Sequence, residues 1–241
     1  MTNLLINYAD GHFYQAQKLN IQTALTVAGF DRALPLGRNH LDAEFYHRNR
    51  QILDQPRGAG YWLWKPHLIL KVMRQAMAFD DVVFYCDSGC QFISAVAPII
   101  ELCRRQPEDK AMVLFALPAE YKNRIYTKRD CFHFMGLDRQ PFLDSAQILG
   151  TFLVCRKTPS AIAFLEEWLH YAQDPRILTD APNECGLPDY PEFQSHRHDQ
   201  SILSLLGSKH EISTVPDISQ WGNGYRPPEI PQIILHTRWS A

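Results

Sequence analysis

Short apolar runs alternate with longer amphipathic stretches along almost the whole chain, and this alternation leaves few folds open. Val82–Cys86 (VVFYC) is apolar throughout, with Asp80-Asp81 before it and Asp87-Ser88-Gly89 after it. A strand that is apolar on both faces must be covered on both, as in a parallel sheet flanked by helices. Leu4–Tyr8 (LLINY), Met112–Leu117 and Leu149–Cys155 predict further strands, with short ones at Arg32–Leu36, Glu211–Val215 and Ile233–His236. Between them Phe13–Ala28, Leu41–Leu53, Pro66–Phe79, Ser160–Ala172 and Gln200–Leu206 predict helices. Gly29 stands where a left-handed residue ends a helix, Pro66 suits a first turn, and Thr158-Pro159 reads as a cap. Ile69, Val72, Met73, Ala76 and Phe79 form an apolar stripe at helical spacing. The expected fold is therefore an α/β sandwich, its central sheet mostly parallel and flanked by helices.

The chain has 241 residues, no internal repeat and no evident linker, which predicts one domain. A net charge of −2 excludes a generic polyanion binder, so nucleic acid is not an expected partner. No apolar run approaches the roughly 20 residues of a membrane span. The start, MTNLLINYADG, lacks a basic segment, a long apolar core and a cleavage site, so no signal peptide is expected and the cytosol is the expected address. Six scattered cysteines without a C-x-x-C pair argue against a zinc knuckle and against disulfides. Cys86 and Cys155 sit in apolar runs and read as buried thiols. The loop-rich stretches Tyr121–Ser145 and Asp174–His196 are long for a compact domain, as functional loops are.

Three clusters carry candidate chemistry. Asp87 follows an apolar strand, where ligands sit in open α/β sheets, and Ser88-Gly89 then turns the chain. A lone carboxylate there can hold a divalent cation, and the cation a diphosphate, with Gly89 allowing close approach; the plain alternative is a turn-forming Asp-Ser-Gly. His196-Arg197-His198-Asp199-Gln200 gathers ionisable groups at a helix start, although Asp199 could equally be the helix cap. His196 and His198 are a candidate metal pair, but the H-x-H-x-D-H pattern of metallo-hydrolases fails at Gln200 and Ser201. Arg57–Pro66 (RGAGYWLWKP) combines glycines, aromatics and two cations, which suits an anionic or sugar ligand on an aromatic face; core packing is the alternative for Trp62 and Trp64. Lys128-Arg129, His236 in ILHTRW, Gln147 and Gly150 are weaker signals. The absence of a G-x-S-x-G elbow and of a G-x-G-x-x-G after a strand sets aside lipase-type and nicotinamide chemistry.

Taken in order, NYADGHFYQAQ, EFYHRNRQIL, RGAGYWLWKPHLIL, DDVVFYCDSGCQF, TKRDCFHFMG, the run Gln147–Arg156, FLEEWL and HRHDQSILSLL resemble bacterial glycosyltransferase-like proteins of the nucleotide-diphospho-sugar transferase (GT-A) superfamily. The resemblance covers nearly the whole chain. It implies a single GT-A-like, Rossmann-like domain over residues 1–241, with a nucleotide-binding part of about 1–118 and an acceptor-side part of about 119–241. Where the superfamily has a D-x-D motif that binds manganese or magnesium, this chain has Asp87-Ser88-Gly89, with glycine in place of the second carboxylate. The resemblance makes His236 the candidate second metal ligand. It places Asn7, Tyr8 and Ala9 at the base, with Tyr8 stacking on it, and Arg57, Trp62, Lys65, Ser88 and Gly89 near the donor. Arg129 or Lys65 would stabilise the leaving diphosphate, and Gln147 and Gly150 would approach the donor sugar. Asp199 becomes the catalytic candidate with Gln200 beside it, and His196 and His198 fall on the acceptor side.

The implied activity moves a sugar from a nucleoside-diphosphate sugar, such as a UDP-sugar, to an acceptor hydroxyl on a glycan or lipid-linked acceptor in bacterial surface polysaccharide synthesis. Peripheral contact at the inner membrane face would be compatible with it. Asp87, Trp62, Lys65 and Asp199 must then converge on one pocket. The alternatives are a metal-dependent hydrolase built on His196, His198 and Asp199, and a nucleotide-sugar binder without turnover.

Overall fold

The structure, a computed structural model, describes residues 1–220 and 231–236. Its strands are β1 (Asn3–Tyr8), β2 (Arg32–Leu36), β3 (Val82–Cys86), β4 (Cys90–Phe92), β5 (Met112–Ala116), β6 (Phe152–Arg156), β7 (Thr214–Pro216) and β8 (Ile234–His236). Six of them form one sheet in the order β2-β1-β3-β6-β5-β7, and β4 pairs with β8 in a separate two-stranded ribbon. β2, β1 and β3 are mutually parallel, as are β5 and β7, while β6 runs against both of its neighbours. This is the expected α/β sandwich with a mostly parallel sheet.

Period-two alternation on the strands makes the two cores. Val83 and Tyr85 of β3 face one side, with Leu4, Ile6, Leu114 and Leu153, under the helices Trp64–Ala76, Pro159–Ala172 and Asp199–Lys209. Val82, Phe84 and Cys86 face the other side with Phe92, Val113, Phe115 and Val154, under the helix Ala97–Arg105. Each fully buried aliphatic or aromatic side chain contributes roughly 1.5–3 kcal/mol of transfer free energy, so central strands apolar on both faces are anchored from both sides.

Several boundaries differ from those the sequence predicts. The first helix is regular over Tyr14–Thr23 and then widens into a π turn over Ala24–Ala28, closed by Gly29 at φ 84. Leu41–Leu53 breaks into Ala43–Arg48 and Arg50–Leu53 at Asn49. The third helix opens at Trp64, before Pro66, and ends at Ala76; its stripe stops at Met73, and Phe79 lies beyond it, exposed. Thr158 caps its helix as expected, accepting the Ala161 N–H.

The reversed strand matters most for function. Its amino end lies beside the carboxyl end of β3, where the Asp87 N–H donates to the Thr151 carbonyl at 2.8 Å. Residues just before β6 therefore share a rim with residues just after β3.

Candidate active site

Lys65 lies in the first turn of the Trp64–Ala76 helix, and the packing of that helix on the sheet carries it inward until it is 2% exposed. Its ammonium meets Asp199 Oδ2 at 2.7 Å and Asp87 Oδ1 at 3.6 Å, and donates to the Gly150 carbonyl at 2.8 Å. The ammonium is thus held by one close carboxylate, one carbonyl and a second, more distant carboxylate, brought from the ends of β3 and β6 and from the start of the Asp199–Lys209 helix. Asp87 Oδ1 also accepts a short hydrogen bond from the Tyr85 hydroxyl. Tyr85 lies two residues before Asp87 and so on the same face of the strand; period two marked it, although the motif reading passed over it.

Burial alone would lower the pKa of Lys65, but the Asp199 and Asp87 carboxylates outweigh it and the net shift is upward. Burial pushes Asp199 up to about 6; Lys65 opposes that shift, and Asp87 adds to it. Apart from the Lys65 ammonium, Asp199 Oδ2 meets no hydrogen-bond donor among the described residues. A buried carboxylate with an open lone pair and a pKa near 6 can take or hold a proton close to neutrality.

The rim before β6 is held by an amide chain. The Gly150 N–H donates to Gln200 Oε1 at 3.1 Å, and Gln200 Nε2 donates to Gln147 Oε1 at 2.9 Å. Gln147 Nε2 then donates to Asn123 Oδ1 at 2.8 Å and to Thr127 Oγ1 at 3.2 Å. A Cβ on Gly150 would come to 3.3 Å from Asp199 Oδ2 and 3.1 Å from Gln200 Cβ, so a larger residue would press this strand end away from the carboxylate unless its neighbours gave way by a few tenths of an ångström. Asn123 and Thr127 fall in the long stretch Tyr121–Ser145, but no motif singles them out, because they meet Gln147 only through the fold.

RGAGYWLWKP does not form the flexible approach its glycines suggest. Gly58, Ala59, Gly60, Tyr61 and Trp62 all have positive φ, between 51° and 101°, and wind one left-handed turn. The Tyr61 N–H reaches the Arg57 carbonyl at 2.7 Å, and the Trp62 N–H reaches that of Gly58 at 3.2 Å. For each of the three non-glycine residues this conformation costs roughly 1–2 kcal/mol. Side chains are excluded at both glycines: a Cβ would lie 2.5 Å from the Trp62 ring at Gly58 and 2.6 Å from Leu53 Cα at Gly60. The turn lays Trp62 on the ring of His198, with centroids 5.6 Å apart and planes 23° apart. His198 itself sits at φ 54, directly before Asp199. Asp199 is consequently the first residue of its helix, and His198 stands at the cap.

The other candidates are placed as follows. His196 Nε2 donates to the Ile177 carbonyl at 2.9 Å, and its Nδ1 accepts the Lys128 N–H at 3.3 Å, so neither nitrogen has a lone pair left for a metal. His198 Nδ1 bonds the Leu178 carbonyl at 2.9 Å. Burial lowers the pKa of both rings. This corrects the hydrolase alternative: the two histidines are locked to successive carbonyls of the short helix Pro175–Leu178 and do not face a common centre. Lys65 is likewise corrected from a donor-contacting cation to a buried one engaged by Asp199, Asp87 and the Gly150 carbonyl. Arg129 lies away from the cluster, donating to Asp138 at 2.8 Å and stacking on Tyr190. Arg57 pairs with Asp180 at 3.0 Å.

Asn7 is fully buried and bonded to Asn20 and Gln17, which pins the first helix to β1. The expected base stacking by Tyr8 meets an obstacle, because its ring already lies on Trp64 at 3.8 Å and is 5% exposed. Ala9 is buried behind it, its N–H donating to the Leu36 carbonyl at 3.1 Å. Ser88 and Gly89 form the turn between β3 and β4, where the Cys90 N–H reaches the Asp87 carbonyl at 3.2 Å. β8 sets His236 opposite Cys90, three residues after Asp87. Among the described residues no three His, Cys, Asp or Glu side chains form a cluster able to hold a metal ion by themselves.

No protein-family model matches the sequence, and no curated protein matches it in sequence. Solved structures do match in fold. Mouse xyloside xylosyltransferase 1 is similar over 98% of this chain and 97% of its own, with a TM-score of 0.51 at 11% identity. The bifunctional glycosyltransferase WbbM is similar over 99% of this chain with a TM-score of 0.56 at 9% identity, and the chain spans 46% of its length. The glycosyltransferase GlyE of Streptococcus pneumoniae TIGR4 is similar over 99% of this chain with a TM-score of 0.50 at 14% identity, and the chain spans 55% of its length. The fold is GT-A-like, that of glycosyltransferases.

Proposed function

We propose that this chain transfers a glycosyl group from a nucleoside-diphosphate sugar, with a UDP-sugar as the first donor to try, to a hydroxyl of a glycan or lipid-linked acceptor. The observation that carries this reading is the buried Lys65 ammonium holding Asp87 and Asp199 together at the carboxyl end of β3. That is the end at which ligands bind in open α/β sheets, here in a fold that solved glycosyltransferases share. Synthesis of a bacterial surface polysaccharide is the setting the sequence resemblance favours. No helix among the described residues is long and apolar enough to cross a membrane.

In an inverting course the acceptor oxygen bonds the anomeric carbon as the bond to the diphosphate breaks, and Asp199 takes the hydroxyl proton. In a retaining course the same carboxylate, ionised, faces the oxocarbenium-like charge. Both need Asp199 charged, with Lys65 fixing its position and offsetting its burial. Asp87 and His236 would be the residues to hold a divalent cation. When bound, manganese or magnesium supplies positive charge against the leaving group.

The ionisation of Asp199 sets a pH limb. Its pKa is raised by burial to about 6, so kcat/KM is expected to climb tenfold per pH unit below about 6 and to level above it. A limb near the ordinary carboxylate value of about 4 would remove Asp199 from the role.

The reading itself is tested by thermal unfolding with nucleoside diphosphates and their sugars, with and without manganese. A donor at about a hundred times its Kd adds about 2.7 kcal/mol of stability. The expected result is a manganese-dependent rise with one nucleotide that Asp87→Asn abolishes. No rise with any donor defeats the proposal, and a rise without hydrolysis or transfer would leave a binder.

A further inference from the structure

The Asp174–His196 stretch closes on the left-handed turn through the Arg57–Asp180 pair and encloses a cavity of about 340 Å³. That lies within the roughly 300–1,000 Å³ of small-molecule sites. Its charges balance: Arg57 and Lys128 stand against Asp180 and Asp189, and His196 is neutral. The two cations are already engaged. Arg57 pairs with Asp180, and Lys128 Nζ donates to the carbonyls of Thr179 at 3.3 Å and Ala181 at 2.7 Å. A phosphorylated ligand would have to compete with these internal partners for both cations.

What remains available suits hydroxyl groups. The Gln194 and Ser195 side chains are exposed and hydrogen-bond no described residue. Asp189 uses Oδ1 for the Arg129 N–H and the Asn183 amide, which leaves Oδ2 to accept. Phe193 adds an apolar ring of the kind that takes the C–H face of a pyranose. The cavity also adjoins the reacting end. Asp180 Oδ1 lies 3.8 Å from His198 Nε2, a buried nitrogen without a hydrogen-bond partner among the described residues, and Asp199 is the next residue.

We infer that this cavity, between Arg57, Asp180, Asp189, Gln194 and Ser195, is the subsite for the terminal sugar of a neutral glycan acceptor, an inference that rests on the transferase reading. Its lining of amides, a hydroxyl and balanced charge recognises a polyhydroxylated ring and disfavours a phosphorylated or fatty one. The lipid of any lipid-linked acceptor would remain outside it.

Saturation-transfer NMR on the full chain tests this, with methyl glycosides of glucose, galactose, mannose and N-acetylglucosamine as probes, since that method reads binding as weak as about 1 mM. At least one glycoside is expected to give a signal that disappears in Ser195→Trp, which fills the cavity. Gln194→Trp serves as a second blocking variant if the first is unfolded by thermal melting. A signal that persists in both blocked variants, or no signal from any glycoside, overturns the inference. Donor binding, read separately by thermal shift, keeps the two failures apart. Glycoside loss in the blocked variants without any donor shift would uphold the subsite while defeating the transferase reading.

Discussion

Asp199→Asn is expected to lower transfer by roughly 10²–10⁴-fold, the range a positioned acid–base group contributes. Asparagine keeps the shape of the side chain, its carbonyl oxygen can still meet Lys65 at the 2.7 Å position, and the close contact with Gly150 is unchanged. Asp87 and the Gly150 carbonyl continue to hold the ammonium, so the fold and the donor-induced thermal shift should survive. Only the ability to take a proton, or to carry negative charge beside the anomeric carbon, is removed. Single-turnover transfer measured beside donor binding separates these effects. Activity within a few-fold of the parent would rule Asp199 out and move attention to Asp87.

Lys65→Met is expected to destabilise the fold by about 3–5 kcal/mol at neutral pH, because it leaves Asp199 buried without its counter-charge. Asp199 is 4% exposed and cannot recruit water easily. The sign of the pH dependence follows from its pKa. A carboxyl raised to about 6 in the folded state, above about 3.9 unfolded, loses stabilisation as pH rises through that window. Removing Lys65 raises the folded pKa further, so the penalty should be smallest near pH 5, where Asp199 can protonate, and largest above pH 7. Adding Asp199→Asn to Lys65→Met should restore part of the loss, since no charge then remains unpaired at that carboxyl. Urea midpoints at pH 5 and pH 8 for the two single variants and the double variant close the cycle. A penalty that ignores pH would mean that the lysine stem, and not its charge, is what the core needs.

The fold was legible because β3 is apolar on both faces and the strand–helix alternation is regular. The cluster was legible in part: Asp87 at a strand end, the cation of GYWLWKP and the HDQ triplet each carry chemistry in a short string, and the fold gathers them. What stayed hidden depends on distance in sequence. That Lys65 would be buried follows from the direction in which its helix packs, a tertiary fact. The hydrogen bonds of His196 and His198 to the carbonyls of Ile177 and Leu178 could not be read from an H-x-H string, and that string pointed toward a metal pair. At the helix break, the Asn49 side chain donates to the Phe45 carbonyl and to Gln173, a partner far away in sequence. The Arg57–Asp180 contact joins residues that no motif connects.

The left-handed turn at Gly58–Trp62 also bears on the order in which the molecule assembles. Its local hydrogen bonds offset only part of the positive-φ cost, and the ring of His198 on which Trp62 rests arrives only with the distant Asp199–Lys209 helix. A segment whose ring packing waits until remote elements have docked is expected on the late, downhill side of the folding barrier. Weakening it therefore leaves the rate of reaching the native state nearly untouched and shortens the time the native state lasts. The piece of chain that seats the residue before Asp199 is, by the same geometry, expected to be among the first to let go in unfolding.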